Sequence, residues 1–128
     1  MSAFSEAELA YLAEEGHLGR LATIDGTGLP HVVPVGWSYN PDRDTIDIGG
    51  RDPQEFLATR KVRNIQTNVK VAIVIDDVLP PWQPRAVMVR GPAESIHDDP
   101  GGGRAETAVI RITPSEIISW GLDSVRER

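Results

Sequence analysis

A mainly β, α+β domain is predicted: a small antiparallel barrel of six strands with short flanking helices. Three observations predict it. Six runs rich in β-branched and aliphatic residues alternate with Gly- and Pro-bearing turns, mostly at hairpin distance. Helical periodicity is confined to two short segments. The 128 residues, 40% of them hydrophobic, suffice for one core in one domain over 1–128.

Each element has its own local reason. Ser5-Glu6-Ala7-Glu8 fits a capping box, and Phe4 and Leu9 stand at staple positions. Leu9, Leu12 and Ala13 extend an apolar stripe and Gly16 is a stop, so a helix is expected over 5–15. LGRLATI (18–24) and LPHVVPVGW (29–37) flank a DGTG turn and form a hairpin. Pro30 and Pro34 lack a backbone N–H, which puts the second strand at an edge or a bulge. TIDIG (45–49) is a third strand, ended by Gly49-Gly50. A second helix is expected over 57–67, burying Ala58, Val62, Ile65 and Val69. The unbroken apolar run of VKVAIVIDD (69–77) indicates a strand buried on both faces. Three prolines in VLPPWQP (78–84) exclude regular structure. RAVMVRGPAES (85–95) and ETAVIRIT (106–113) are strands on either side of a flexible loop, HDDPGGGR (97–104). PSEIISWGLD (114–123) is a turn and a short extended end, and the tail SVRER is expected to fray.

Composition narrows the function. A net charge of −6 argues against a nucleic-acid binder. The absence of cysteine removes disulfides, thiol chemistry and Cys-based metal sites. His17, His31 and His97 are far apart and show no metal-ligand spacing. No apolar stretch approaches the roughly 20 residues of a membrane span. MSAFSEAELAYL shows no basic region followed by an apolar run. A cytoplasmic protein with no metal and with neither membrane nor nucleic acid as partner is expected.

Against that acidic background, Arg60, Lys61 and Arg63 bunch within LATRKVRNIQTN (57–68). A solvated helix face is the bland reading. On a helical wheel, however, Lys61 lies about 70° from the centre of the apolar stripe, at the border of core and solvent. Asn64 falls one turn on, on the same side, and Thr59 adds a hydroxyl near the helix start. Hydroxyl, guanidinium and ammonium beside a helix N-terminus form a phosphate seat. Salt screening over about 8 Å lets these cations outweigh distant carboxylates. The other signals are weaker. DGTG and Gly49-Gly50 lack phosphate-loop spacing, and His31 reads as structural. Ser38, Ser119 and Thr23 have no His–Asp pattern beside them, so no catalytic side chain is named. Trp82 stands in a proline-stiffened loop, where its ring could cover a planar ligand or a partner subunit. Edge prolines and a two-sided apolar strand point to a symmetric homodimer with sites at the interface.

Taken together, LATI (21–24) with its Gly turn and LPHVVPV, TRKVRNIQTNVKVAIV (59–74) and RAVMVRGPAE (85–94) resemble the pyridoxamine 5′-phosphate oxidase-like split β-barrel superfamily, which binds FMN or the deazaflavin F420. The pieces occur in family order over nearly the whole chain. Thr59 stands where the family helix carries Ser, and Asn68-Val69-Lys70-Val71 replaces its Asn-Pro-Arg-Val entry. The resemblance implies a split barrel of the FMN-binding type, a homodimer, and two cofactor sites between subunits. It implies that Thr59, Arg60 and Lys61 hold the cofactor phosphate, with Arg63 or Arg51 available to an anionic tail. Backbone around Leu21, Ala22 and Thr23 and around Pro34, Val35 and Gly36 would lie against the ring. The other subunit's Trp82–Arg85 loop, and its Trp120-Gly121, would close the pocket.

Three departures bear on the cofactor. Where FMN oxidases of the superfamily carry Arg, Lys and Gln, this chain has Val33, Trp37 and Ala86. A C-terminal pyridoxal-phosphate segment does not follow SWGLD, so a vitamin B6 oxidase is not expected. The resemblance therefore favours the F420-dependent branch: an oxidoreductase moving a hydride between reduced deazaflavin and an unsaturated small molecule. An FMN-dependent reductase or oxidase, and a non-catalytic flavin- or F420-binding dimer, are the alternatives.

Overall fold

A computed structural model describes residues 1–122; the tail SVRER lies outside the described residues. In chain order the elements are α1 (Glu6–Leu12), β1 (Leu18–Ile24), β2 (Pro30–Val35), β3 (Ser38–Asn40) and β4 (Thr45–Gly49). There follow α2 (Pro53–Leu57), α3 (Arg60–Thr67), β5 (Lys70–Leu79), β6 (Gln83–Asp98), β7 (Thr107–Ile112) and β8 (Glu116–Trp120). All pairings are antiparallel, in the order β2-β1-β5-β6-β7-β4-β3, with β8 also on β6. This is the split barrel with short helices that the sequence predicts.

The split comes from β6. Its first half pairs with β5 on one side and β8 on the other. Its second half, from Ala93, pairs with β7. At the crossing, a Cβ on Gly91 would lie 2.0 Å from the carbonyl oxygen of Thr113, so only glycine permits the approach. Across the first half-barrel the register aligns Val33, Leu21, Ile73, Val89 and Ile117 in one inward row. Ile46, Ile48, Ile110 and Ile112, all buried, line the second half-barrel. Period-2 alternation thus fills one core from both halves.

Local chemistry explains the ends of the elements. Ser5 and Glu8 form the expected capping box at α1. The helix stops at Leu12, earlier than expected, because Glu14 and Glu15 oppose the helix dipole at that end. Glu14 is drawn instead to His17 and Arg85. The prolines do place β2 at the sheet edge. Residues 78–84 are not irregular: β5 and β6 continue into this segment, pairing Val78 with Pro84 and Leu79 with Gln83. The ladder overrides the prolines because Pro80 and Pro81 sit in the turn itself. β3 and β8 bring the strands to eight where six were expected; both are short and depend on a neighbour for pairing. Ala58 and Val69 are exposed, since α3 begins after the first and ends before the second. On β5, Val71, Ile73 and Ile75 are buried, whereas Ala72 and Val74 on the opposite face are only half-buried.

Candidate functional site

The connection from β4 to α3 builds a cavity. Asp52 caps α2, its carboxylate accepting from the backbone N–H groups of Gln54 and Glu55 at 2.9 and 3.2 Å. Pro53 follows at the first helical position, where its missing N–H costs nothing. This short helix turns the chain so that Thr59 becomes the N-cap of α3. Between α2, the start of α3 and the end of β2 lies a cavity of about 300 Å³. Pro34, Val35, Gly36, Gly50, Thr59 and Lys61 line it, with Arg51, Asp52, Glu55 and Phe56.

Its electrostatics centre on Lys61. The side chain is half-buried, and burial pushes its pKa below the ordinary lysine value. Among the described residues it has no carboxylate partner. Its Nζ stands 5.2 Å from the centroid of the Phe56 ring. The Thr59 hydroxyl donates back to the carbonyl of Phe56 at 2.7 Å, so it does not cap α3. The first N–H groups of α3 therefore have no side-chain cap. An uncompensated ammonium and helix N–H groups with no side-chain cap are a donor set suited to a phosphate.

The sequence-predicted site residues separate into groups. Thr59, Lys61, Pro34, Val35 and Gly36 meet around this cavity, although the strand and the helix are far apart in sequence. Arg60 does not line it; its guanidinium lies 3.7 Å from Asp25. Asn64 is buried and donates to the Thr23 hydroxyl at 2.9 Å, pinning α3 to β1. Leu21 is core. Ala22 and Thr23 border a second, apolar hollow of about 730 Å³ on the outer sheet face. Trp82 stands 75% exposed at the tip of the β5–β6 hairpin. Arg85 is held by Asp77 at 2.7 Å and Glu14 at 3.0 Å, over the face of Tyr11. Sequence reasoning missed Asp52, Glu55 and Phe56 as cavity residues. The Asp52-Pro53 pair, an N-cap followed by an N1 proline, was the signal for α2 that could have found them.

Comparisons with known proteins agree with the fold. Residues 5–121 match the pyridoxamine 5′-phosphate oxidase family. A 5a,11a-dehydrotetracycline/5a,11a-dehydrooxytetracycline reductase of Streptomyces rimosus is 40% identical over 94% of this chain and 84% of its own length. Among solved structures, a conserved hypothetical protein of Mycobacterium tuberculosis superposes with a TM-score of 0.70 at 20% identity, over 93% of this chain and 86% of that one. An F420 reductase superposes with a TM-score of 0.59 at 20% identity, covering 84% and 93%. The reductase relative and the oxidase match together make the chain an oxidoreductase. Match, fold and order of elements coincide over nearly every described residue: the chain belongs to the pyridoxamine 5′-phosphate oxidase family.

Proposed function

We propose that the chain is an F420-dependent reductase that delivers a hydride to a conjugated carbon–carbon double bond of a small polycyclic molecule. The observation that carries this reading is Lys61, a half-buried ammonium without a counter-ion, beside Thr59 and the uncapped start of α3. These groups fit a cofactor phosphate, and Pro34–Gly36, which also line the cavity, would lie against the ring in this reading. When bound, the reduced cofactor supplies the hydride, and the protein supplies binding, orientation and exclusion of water. The one proton that completes the reduction after hydride transfer comes from solvent in this reading. The substrate class follows the Streptomyces rimosus relative, whose named substrates are dehydrotetracyclines.

F420 is favoured over FMN by what stands at three positions. Trp37 donates from Nε1 to the carbonyl of His17 at 2.9 Å, Ala86 is buried, and Val33 packs on the core. None offers a cation or amide to a flavin. We further propose a homodimer. The outward rows Val32, Ala22, Ala72, Arg90, Glu116 and Pro34, Arg20, Val74, Met88, Ile118 form a sheet face whose apolar side chains are broken by Arg20 and the Arg90–Glu116 pair. A second copy laid on that face would cover the 730 Å³ hollow and bring its own hairpin tip, with Trp82 and Arg85, towards the site. Titration of purified protein with F420 and with FMN, followed by tryptophan fluorescence, tests the cofactor. Tight F420 binding with weak FMN binding is expected. The reverse order would make this an FMN enzyme, and binding of neither would remove the cofactor reading.

A further inference from the structure

The Lys61 charge is held in the cavity by something other than a carboxylate. Asp52, on the cavity wall, is committed to the N–H groups of α2. Glu55 also lines the cavity but is exposed and forms no ion pair with Lys61. What does face the ammonium is the ring of Phe56, at 5.2 Å. Phe56 is 4% exposed and belongs to α2, whereas Lys61 belongs to α3. Its position is fixed from below as well. A Cβ on Gly50 would lie 3.0 Å from one ring carbon of Phe56 and 3.1 Å from its Cβ, so the glycine lets the ring pack tightly on the β4–α2 connection.

We propose that Phe56 is the positioning residue of the anion seat: its ring face holds the Lys61 ammonium in the cavity in place of a counter-ion. A carboxylate there would neutralise the charge and compete with the ligand. A ring quadrupole attracts the cation and leaves its N–H groups available. This inference rests on the cofactor-phosphate reading of the same cavity and adds the device that keeps the seat charged and empty of acid.

The test compares Phe56→Leu, Phe56→Tyr and Lys61→Ala, with the Phe56→Leu/Lys61→Ala double variant. F420 dissociation constants are read by fluorescence, and the Lys61 side-chain protons by NMR. In the wild type and in Phe56→Tyr those protons should carry the upfield shift of a nucleus over a ring face, and the shift should vanish in Phe56→Leu. Phe56→Leu should weaken F420 roughly three- to tenfold, the scale of a partly desolvated cation–π pair. Phe56→Tyr should stay within twofold. In the Lys61→Ala background, Phe56→Leu should cost nothing more. An equal loss in both backgrounds, or the absence of the ring shift in the wild type, overturns the proposal. If Phe56→Leu does not fold, Gly50→Ala serves instead: displacing the ring should reduce the Lys61 shift and weaken binding, and no change in either refutes the role. Titration with inorganic pyrophosphate separates the two readings. A protein that binds neither F420 nor FMN, yet shows a pyrophosphate-dependent change at Lys61 that Phe56→Leu abolishes, sinks the cofactor assignment and keeps this one. No response to pyrophosphate at Lys61 sinks the seat.

Discussion

Between residues 60 and 63 three cations share one short helix, and the fold treats each differently. Arg60 reaches towards Asp25, and Arg63 donates to the carbonyl of Ala58 at 2.8 Å. Lys61 alone of the three turns into the cavity. Lys61→Ala is therefore expected to weaken F420 binding by about 1.5–3 kcal/mol, the scale of a hydrogen bond to a charged group, and Arg63→Ala by much less. Comparable losses in the two dissociation constants would mean a diffuse field rather than a shaped seat. The depressed pKa of Lys61 gives a pH signature whose sign differs between binding and folding. The ammonium is charged below its free-state pKa, which burial places under the ordinary 10.5. Anion affinity should be complete at neutral pH and fall as pH rises through that lowered value. Folding moves the other way, because the folded state disfavours the charged form; this one group adds stability as the amine loses its proton. A binding curve that weakens only at the ordinary lysine pKa would show that the side chain is solvated in the free protein.

At the level of elements, α2 is the piece on which the site depends. It is a five-residue helix, too short to form on its own propensity, and Asp52 satisfies two of its orphan N–H groups. Asp52→Ala should cost about 1 kcal/mol of stability, with Asp52→Asn nearly neutral, read as a shift in the denaturation midpoint. Because α2 carries Phe56 and shapes the turn to Thr59, the alanine variant should also lose F420 affinity. Unchanged affinity with reduced stability would detach the cap from the site. The same segment shows where sequence reading stopped. The first and third expected strands, 18–24 and 45–49, coincide with β1 and β4, since each is a short β-rich run bounded by turn residues. The helix expected over 57–67 ran across the break at Thr59, because Ala58, Val62, Ile65 and Val69 keep helical spacing through it although Ala58 and Val69 turn out exposed. The wheel and the helix start singled out Lys61 and Thr59, both of which line the cavity. Asn64 was not legible as a strut, because its partner, Thr23, lies 41 residues away in β1.

For the whole molecule, the two faces of the first half-barrel differ in a way that assembly would explain. The inward row is sealed, while the outward row through Val74 and Met88 stays half-exposed and apolar, with the Arg20–Asp76 and Arg90–Glu116 pairs on the same face. Val74→Glu should convert the expected dimer to a monomer in light scattering while leaving the strand register intact, since this side chain does not enter the core. A variant that remains dimeric would move the interface elsewhere. Such a face, at the end of a sheet, carries a hazard. β2 is an open edge, and Val32 in its middle is 60% exposed. Pro30 and Pro34 flank Val32 at the two positions that share its orientation along the strand, and neither has an N–H to offer a new strand. Ribbon growth from edge to edge is blunted, so stacking across the flat face is the route left open. Pairing across that face, as proposed, would close after two copies, whereas growth from strand edge to strand edge would not close.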